Sequence, residues 1–165
     1  MEPRTTFVLN GSRFLLRRAV EEDLSELIAL LSNDPLRRSE NSTRPEDRSA
    51  YAEAFREIER DPGQLLIVVE DETHEVVATL QLTFTPGLAR RGAKRMTIEA
   101  VRVHERLRGN GLGSSMIEWA VAEGKRRGAA MVQLTSDRAR TSAHRFYERL
   151  GFTQSHLGFK LILDQ

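Results

Sequence analysis

The sequence predicts an α+β fold, a central mixed sheet of six to seven strands flanked by about four helices. Three observations lead there. Stretches of alternating hydrophobicity and stretches of helical period follow one another along the chain, with turn residues between them. A glycine-rich heptapeptide, Arg108-Gly109-Asn110-Gly111-Leu112-Gly113-Ser114, falls where a strand gives way to a helix. The length, 165 residues, suits a single domain over 1–165 that buries roughly 70% of its unfolded surface.

Phe7 to Arg18 reads as a first strand interrupted by the turn pair Asn10-Gly11. From Glu21 to Leu31 the apolar residues Leu24, Leu27, Ile28 and Leu31 share one helical face, and the acids at its start suit the helix dipole. The polar stretch Asn33 to Asp47 reads as a loop, and a second helix runs from Arg48 to Arg60 until Asp61-Pro62-Gly63 stops it. Leu65 to Glu70 and Val76 to Phe84 form an antiparallel hairpin. A loop containing Arg90, Arg91, Lys94 and Arg95 leads into the strand Met96 to Val103; it is either a solvated loop or a site for an anionic substrate.

The helix after the glycine loop presents Leu112, Met116, Ile117, Ala120 and Val121 as one stripe and ends at Gly124 to Gly128 behind three basic residues. Trp119 falls off that stripe and is expected to cover a loop or a partner. Met131 to Thr135 is the next strand, and Ser142 to Leu150 a helix with Ala143, Phe146, Tyr147 and Leu150 on one face. A final strand is expected from about His156 to Leu163.

The heptapeptide has the chemistry of an anion site. The first turn of a helix presents unpaired N–H groups and about half a positive charge, and glycines let a phosphate approach them without meeting a Cβ. Arg108 adds a charged donor fork. Two better-known loops do not fit. Gly113 is followed by Ser114 and Ser115 with no lysine for a γ-phosphate, and neither Gly109 nor Gly111 begins a G-x-G-x-x-G.

Composition narrows the classes. Lys and Arg number 25 against 24 Asp and Glu, so no overall field recommends nucleic acid or membrane, and neither is expected as a partner. The absence of cysteine excludes a disulfide framework, a thiolate metal site and a cysteine acyl-enzyme. With four histidines besides, no metal is assigned. The sequence contains neither a signal-like start nor an apolar run of transmembrane length, so a cytoplasmic location is expected.

Arg108-x-x-Gly111-x-Gly113 between strand and helix resembles the acyl-CoA pyrophosphate loop of the GNAT superfamily of N-acyltransferases. With Phe146-Tyr147-Glu148-Arg149-Leu150-Gly151-Phe152 following at the expected distance, the resemblance covers essentially the whole chain. It implies the GNAT fold, with a sheet splayed around the acyl-CoA site, and an acetyl-CoA-dependent N-acetyltransferase. The pantetheine arm would pair with the backbone of Val101, Arg102 and Val103, and the pyrophosphate would lie on Arg108 and the N–H groups of Gly109, Asn110, Gly111, Leu112, Gly113 and Ser114. Tyr147 matches the family's tyrosine near the departing sulfur. Glu99 matches a position where several small-amine acetyltransferases carry a carboxylate. Many members have an asparagine where this chain has Arg140; Ser142, Asp137 or the backbone would replace it, or Arg138 or Arg140 would meet a cofactor phosphate. The segments Thr135-Ser136-Asp137, Ala143 to Tyr147 and Gln154 to His156 are similar to aminoalkylphosphonate N-acetyltransferases, which would favour a small anionic amine.

The chemistry bears on both assigned catalytic residues, Glu99 and Tyr147. An alkylammonium near 10.4 must lose a proton before its nitrogen attacks, and a carboxylate near 4.3 falls short by about 8 kcal/mol for direct transfer. Glu99 therefore needs burial or a water relay to act as base; an ion pair with an arginine would explain it without catalysis. Returning a proton from Tyr147 to a thiolate costs about 2 kcal/mol before tuning, while packing alone would also account for an aromatic on that stripe. The expected reaction is direct transfer to the primary amine of a small molecule in a ternary complex. The alternatives are an acetyl-CoA-binding sensor or partner-binding module without turnover, and acetylation of a protein amine. A homodimer is suggested by Trp119 and the last strand.

Overall fold

A computed structural model describes residues 3–34 and 41–163 of the chain. Residues 35–40, within the expected loop 33–47, lie outside the described residues. The sheet has six strands in sequence order: β1 (Arg4–Leu9), β2 (Ser12–Arg18), β3 (Gln64–Glu70), β4 (Val76–Thr85), β5 (Lys94–Val103) and β6 (Ala129–Leu134). Neighbours from β1 to β5 are antiparallel, and β5 and β6 are parallel, which makes the sheet mixed.

The helices are α1 (Leu24–Ser32), α2 (Arg48–Arg60), the single turn α3 (Ala89–Gly92), α4 (Leu112–Arg126) and α5 (Thr141–Arg149). The architecture is α+β, as expected. What reads in sequence as one interrupted strand is a hairpin, because Asn10 and Gly11 both take positive φ (53° and 83°) and reverse the chain in two residues.

Two apolar layers clasp the sheet. On one face Leu65, Ile67, Leu80, Leu82, Met96 and Ile98 meet the buried stripe of α4, Leu112, Met116, Ile117 and Ala120. Each of these larger side chains contributes roughly 1.5–3 kcal/mol by leaving water. The approach of α4 is close: a Cβ on Gly124 would stand 3.0 Å from Met96 Cε. On the other face Leu24, Leu27, Ile28 and Phe55 of α1 and α2 cover Val68 and Val76. Trp119 packs partly buried against the first cluster, which corrects its assignment to a loop or partner: the apolar stripe of α4 is wide enough to include it.

The expected strand His156–Leu163 is not formed. Residues 153–163 have no regular structure and are exposed, and among the described residues β6 is the last strand of the sheet. Their alternation is real, but alternation alone makes no strand: that needs ladder hydrogen bonds to a neighbour, and no described strand pairs with these residues.

Candidate active site

The site is built at the end of β5. Pairing with β6 runs from Lys94 to Ile98 and then stops, while β4 stays paired to Val103. Between Glu99 and Arg102 the register with β4 slips by one residue, and Ala100 at the slip has φ 51°. A bulge bends a strand and disrupts its ladder locally. Beyond Ile98, one edge of β5 is therefore free of β6 and open to a ligand, the splay that the sequence led us to expect.

The glycine loop follows. After the 3-10 turn Glu105–Leu107, Gly109 (φ 81°) and Gly111 (φ 86°) take left-handed conformations, and Gly111 is the N-cap of α4. A side chain at either position would be strained, which is why glycine stands there. The first N–H groups of α4, those of Leu112, Gly113 and Ser114, lack intrahelical acceptors, while Ser115 N–H donates to the Gly111 carbonyl at 3.1 Å. Nothing comes within 4 Å of the Cβ positions of Gly109 and Gly111, so their surface is open.

A cleft of about 250 Å³ lies beside the open edge, lined by Asn33, Asp34, Val101, Arg102, Val103, Arg108 and Arg140. Five of these are residues that the sequence singles out; Asn33 and Asp34 are not. Asp34 is 2% exposed, and its carboxylate pairs with Arg102 Nη2 at 2.9 Å and with Arg140 Nη2. Three elements thereby converge, the end of α1, the end of β5 and the start of α5. The sequence has no means of saying which of 24 acids, if any, would pair with these arginines.

The arginines also touch the backbone that a ligand would use. Arg102 Nη1 donates to the Val101 carbonyl at 2.8 Å, and Arg108 Nε to the Val103 carbonyl at 3.2 Å. Tyr147, on α5, is half-buried, with Phe146 and Phe152 edge-on at 5.1 and 5.9 Å. Burial pushes its hydroxyl above the usual value, against the opposing pull of Arg102 and Arg140, so it keeps its proton at neutral pH.

Glu99 sits before the bulge, exposed, with Thr83 Oγ1 donating at 3.2 Å. It belongs to a polar strip across the sheet, in which Gln81 Nε2 donates to Gln64 Oε1 at 2.9 Å and the single Thr83 hydroxyl hydrogen is shared between Glu99 and Gln64 Oε1, the latter at 2.9 Å. An arginine partner for Glu99 is not seen among the described residues. Ser142 is exposed in the first turn of α5 and does not line the cleft. The basic loop stands at the other end of β5, ~23 Å from Val101 by the rise per residue of a strand. There Lys94 Nζ donates to the Arg127 carbonyl at 2.9 Å, closing the end of α4, and Arg90, Arg91 and Arg95 are exposed.

A strand with a bulge and an open edge, followed by a glycine loop at a helix N-terminus, is the arrangement that the sequence resemblance implies for this α+β fold. Residues 15–152 match the family described as Acetyltransferase (GNAT) family, and the chain belongs to it. The chain is also similar to a curated N-acetyltransferase. Over 53 residues it is 42% identical to the aminoalkylphosphonate N-acetyltransferase of Salmonella typhimurium, a match covering 32% of this chain and 34% of that protein. The chain thus matches about a third of the length of that curated relative.

Among solved structures, a protein of Bacillus halodurans described as a transcriptional regulator is 42% identical, with a TM-score of 0.86 over 90% of this chain and 98% of that one. An acetyltransferase of Trypanosoma brucei is 27% identical, with a TM-score of 0.76 over 91% and 99%.

Proposed function

We propose that this protein moves the acetyl group of acetyl-CoA to the primary amine of a small molecule, directly, in a ternary complex. The observation that carries the reading is the edge of β5 left open beyond Ile98 beside a helix N-terminus entered through two left-handed glycines. The residues present suit the cofactor: a strand edge for an amide-bearing arm, a glycine loop with intrahelically unpaired N–H groups for a pyrophosphate, and Arg108 beside both. In this reading Val101, Arg102 and Val103 hold the arm and Gly109 to Ser114 the phosphates. Arg108 exchanges the Val103 carbonyl for phosphate oxygen, and Arg140 holds the start of α5 at the cleft.

The bound thioester supplies the acetyl carbon and the thiol leaving group. Backbone N–H groups between Val101 and Val103 orient the thioester carbonyl, and Tyr147 gives its proton to the sulfur. Glu99, exposed rather than buried, receives the ammonium proton through water, with Thr83 and the Gln64–Gln81 pair ordering that path. We read residues 1–165 as a single domain acting in the cytoplasm; no described helix is long and apolar enough to cross a membrane.

The test is free-thiol release from acetyl-CoA over a panel of small amines, aminophosphonates, polyamines, aminoglycosides, amino acids and basic peptides, with calorimetric CoA binding in parallel. Turnover on a small-amine class supports the proposal, and turnover on peptides alone would shift the acceptor to a protein amine. The description of the Bacillus halodurans relative favours a second reading, an acetyl-CoA-responsive binding module. CoA binding with no turnover anywhere on the panel would select it.

A further inference from the structure

On the face of the sheet that carries Glu99, the surface turns from apolar to polar between β3 and β4. Leu66 still belongs to the apolar layer under α1 and α2, and Gln81 stands opposite it. From there the register sets two rows of side chains across the strands. One row holds Gln81 and Glu99; the next holds Gln64, Thr83, Thr97 and Gln133, one from each of β3 to β6. The second row is tied together, since Thr83 bonds Gln64 and Gln133 Nε2 donates to Thr97 Oγ1 at 3.2 Å. Among the described residues these bonds occupy Gln64 Oε1 and Gln81 Nε2, and they leave Gln64 Nε2 to donate and Gln81 Oε1 to accept. In a chain of which 30% is charged, a face meeting only water would carry charge throughout, yet Gln64, Gln81, Thr83, Thr97 and Gln133 carry none. Charge returns only at the ends. Glu99 closes one; at the other, two residues before Thr97 and on the same face of β5, stands the exposed Arg95. Arg95 is opposite Met131 of β6, whose sulfur Arg90 Nη1 approaches to 3.7 Å.

We propose that this polar floor is the acceptor subsite and that it selects an elongated amine: an ammonium at Glu99, a middle of amide or hydroxyl groups over Gln64 and Gln81, and an anionic end at Arg95 and Arg90. The subsite rests on the acetyltransfer reading, which puts the amine at Glu99. Opposite charges at the two ends fix the direction of the acceptor, so that its amine and not its anion faces the bulge of β5. The amides of the floor discriminate by the same rule as any desolvated polar group: an acceptor that bonds them replaces the water it displaces, and an alkyl chain does not. From Glu99 to Arg95 the strand rises ~13 Å. An extended chain of three or four residues spans roughly 10–13 Å, whereas an amine and an anion on neighbouring carbons leave the floor and its far end unused.

The test takes glycine, diglycine, triglycine and tetraglycine with their carboxyl-terminal amides, titrated by calorimetry into the full chain saturated with CoA and assayed in parallel for thiol release from acetyl-CoA. Affinity and kcat/KM are expected to rise with length to the tri- and tetrapeptide, and amidation of these two is expected to cost about tenfold or more. Arg95→Gln is expected to impose the same loss on the free peptides and none on their amides. Arg91→Gln, an equal loss of charge on the same loop, is expected to leave both within about twofold. Gln64→Leu is expected to weaken triglycine more than an ω-amino fatty acid of equal length, which has no amide for the floor to bond. No binding by any oligomer, affinity independent of length, or an Arg95→Gln loss equal for acids and amides would each overturn the subsite, while thiol release with other amines would leave the transfer reading standing. Binding that depends on length and on Arg95, without thiol release, would uphold the subsite and count against transfer.

Discussion

Arg140, at the start of α5, is held by the buried carboxylate of Asp34, 106 residues earlier in the chain. The same carboxylate holds Arg102 on β5, so one acid ties the two walls of the cleft to the end of α1. Removing one partner of such a cluster leaves buried charge without compensation, the costly way to break an ion pair. The arginines are 21% and 29% exposed, which moderates that cost. Asp34→Ala is expected to lose about 2–3 kcal/mol in urea unfolding, with a several-fold rise in the KM for acetyl-CoA.

Tyr147 offers a cleaner separation of roles. Replacing it with Phe keeps the edge-on packing against Phe146 and Phe152 and removes only the hydroxyl. An acid acting on the leaving sulfur predicts a fall in kcat of about 10²-fold with little change in stability or in CoA affinity. A packing role predicts no change in kcat. Stability has a pH signature as well. The folded hydroxyl titrates above its unfolded value, so its contribution is complete below about pH 10 and declines as the pH rises beyond that. The phenylalanine variant should lack this decline in alkaline unfolding curves.

For Glu99, Gln is the informative substitution. As a base working through water, its loss should lower kcat with the amine by roughly 10–100-fold, within the usual range for general-base catalysis, and leave CoA binding unchanged. Raising the pH should restore part of the rate by supplying free amine. A Glu99→Gln enzyme with the parent pH–rate profile would remove the carboxylate from the mechanism.

Gly111 is under a backbone constraint that no side chain satisfies cheaply. At φ 86°, Gly111→Ala should cost about 1–2 kcal/mol and shift the start of α4. Calorimetry should show CoA affinity falling at least tenfold, more than the stability loss implies for a merely structural glycine.

Glu123 tests the far end of α4. Its carboxylate, 6% exposed, accepts from Arg126 Nη2 at 2.6 Å and from Arg127 Nε at 2.7 Å, and Arg127 also lies over the Phe84 ring at 5.0 Å. These bonds, Arg126 first, hold Glu123 below the ordinary carboxylate value against the cost of burial. The stabilisation is therefore present above about pH 4.3 and is lost as the pH falls through the depressed folded value. Glu123→Gln is expected to cost about 1–2 kcal/mol at pH 7 and progressively less as the pH falls below about 4.3, read from paired urea melts.

The sequence by itself determined what depends on neighbours along the chain. The period of α2 and of α4, the apolar run of β3, the alternation of β4 and β5, the Asn10-Gly11 turn and the glycines entering α4 are local preferences, written within a few residues of where they act. They were enough for the fold class and for the loop on which the functional reading rests. Tertiary structure decided the rest, because burial and pairing are settled between segments far apart. It set Asp34 between Arg102 and Arg140, left Glu99 in solvent, drew Trp119 into the core and put the basic loop at the wrong end of β5 to reach the cleft. It also withheld the strand that the alternation of residues 156–163 leads one to expect: alternation specifies which face a strand would bury, while an edge to pair with has to be supplied by another part of a structure.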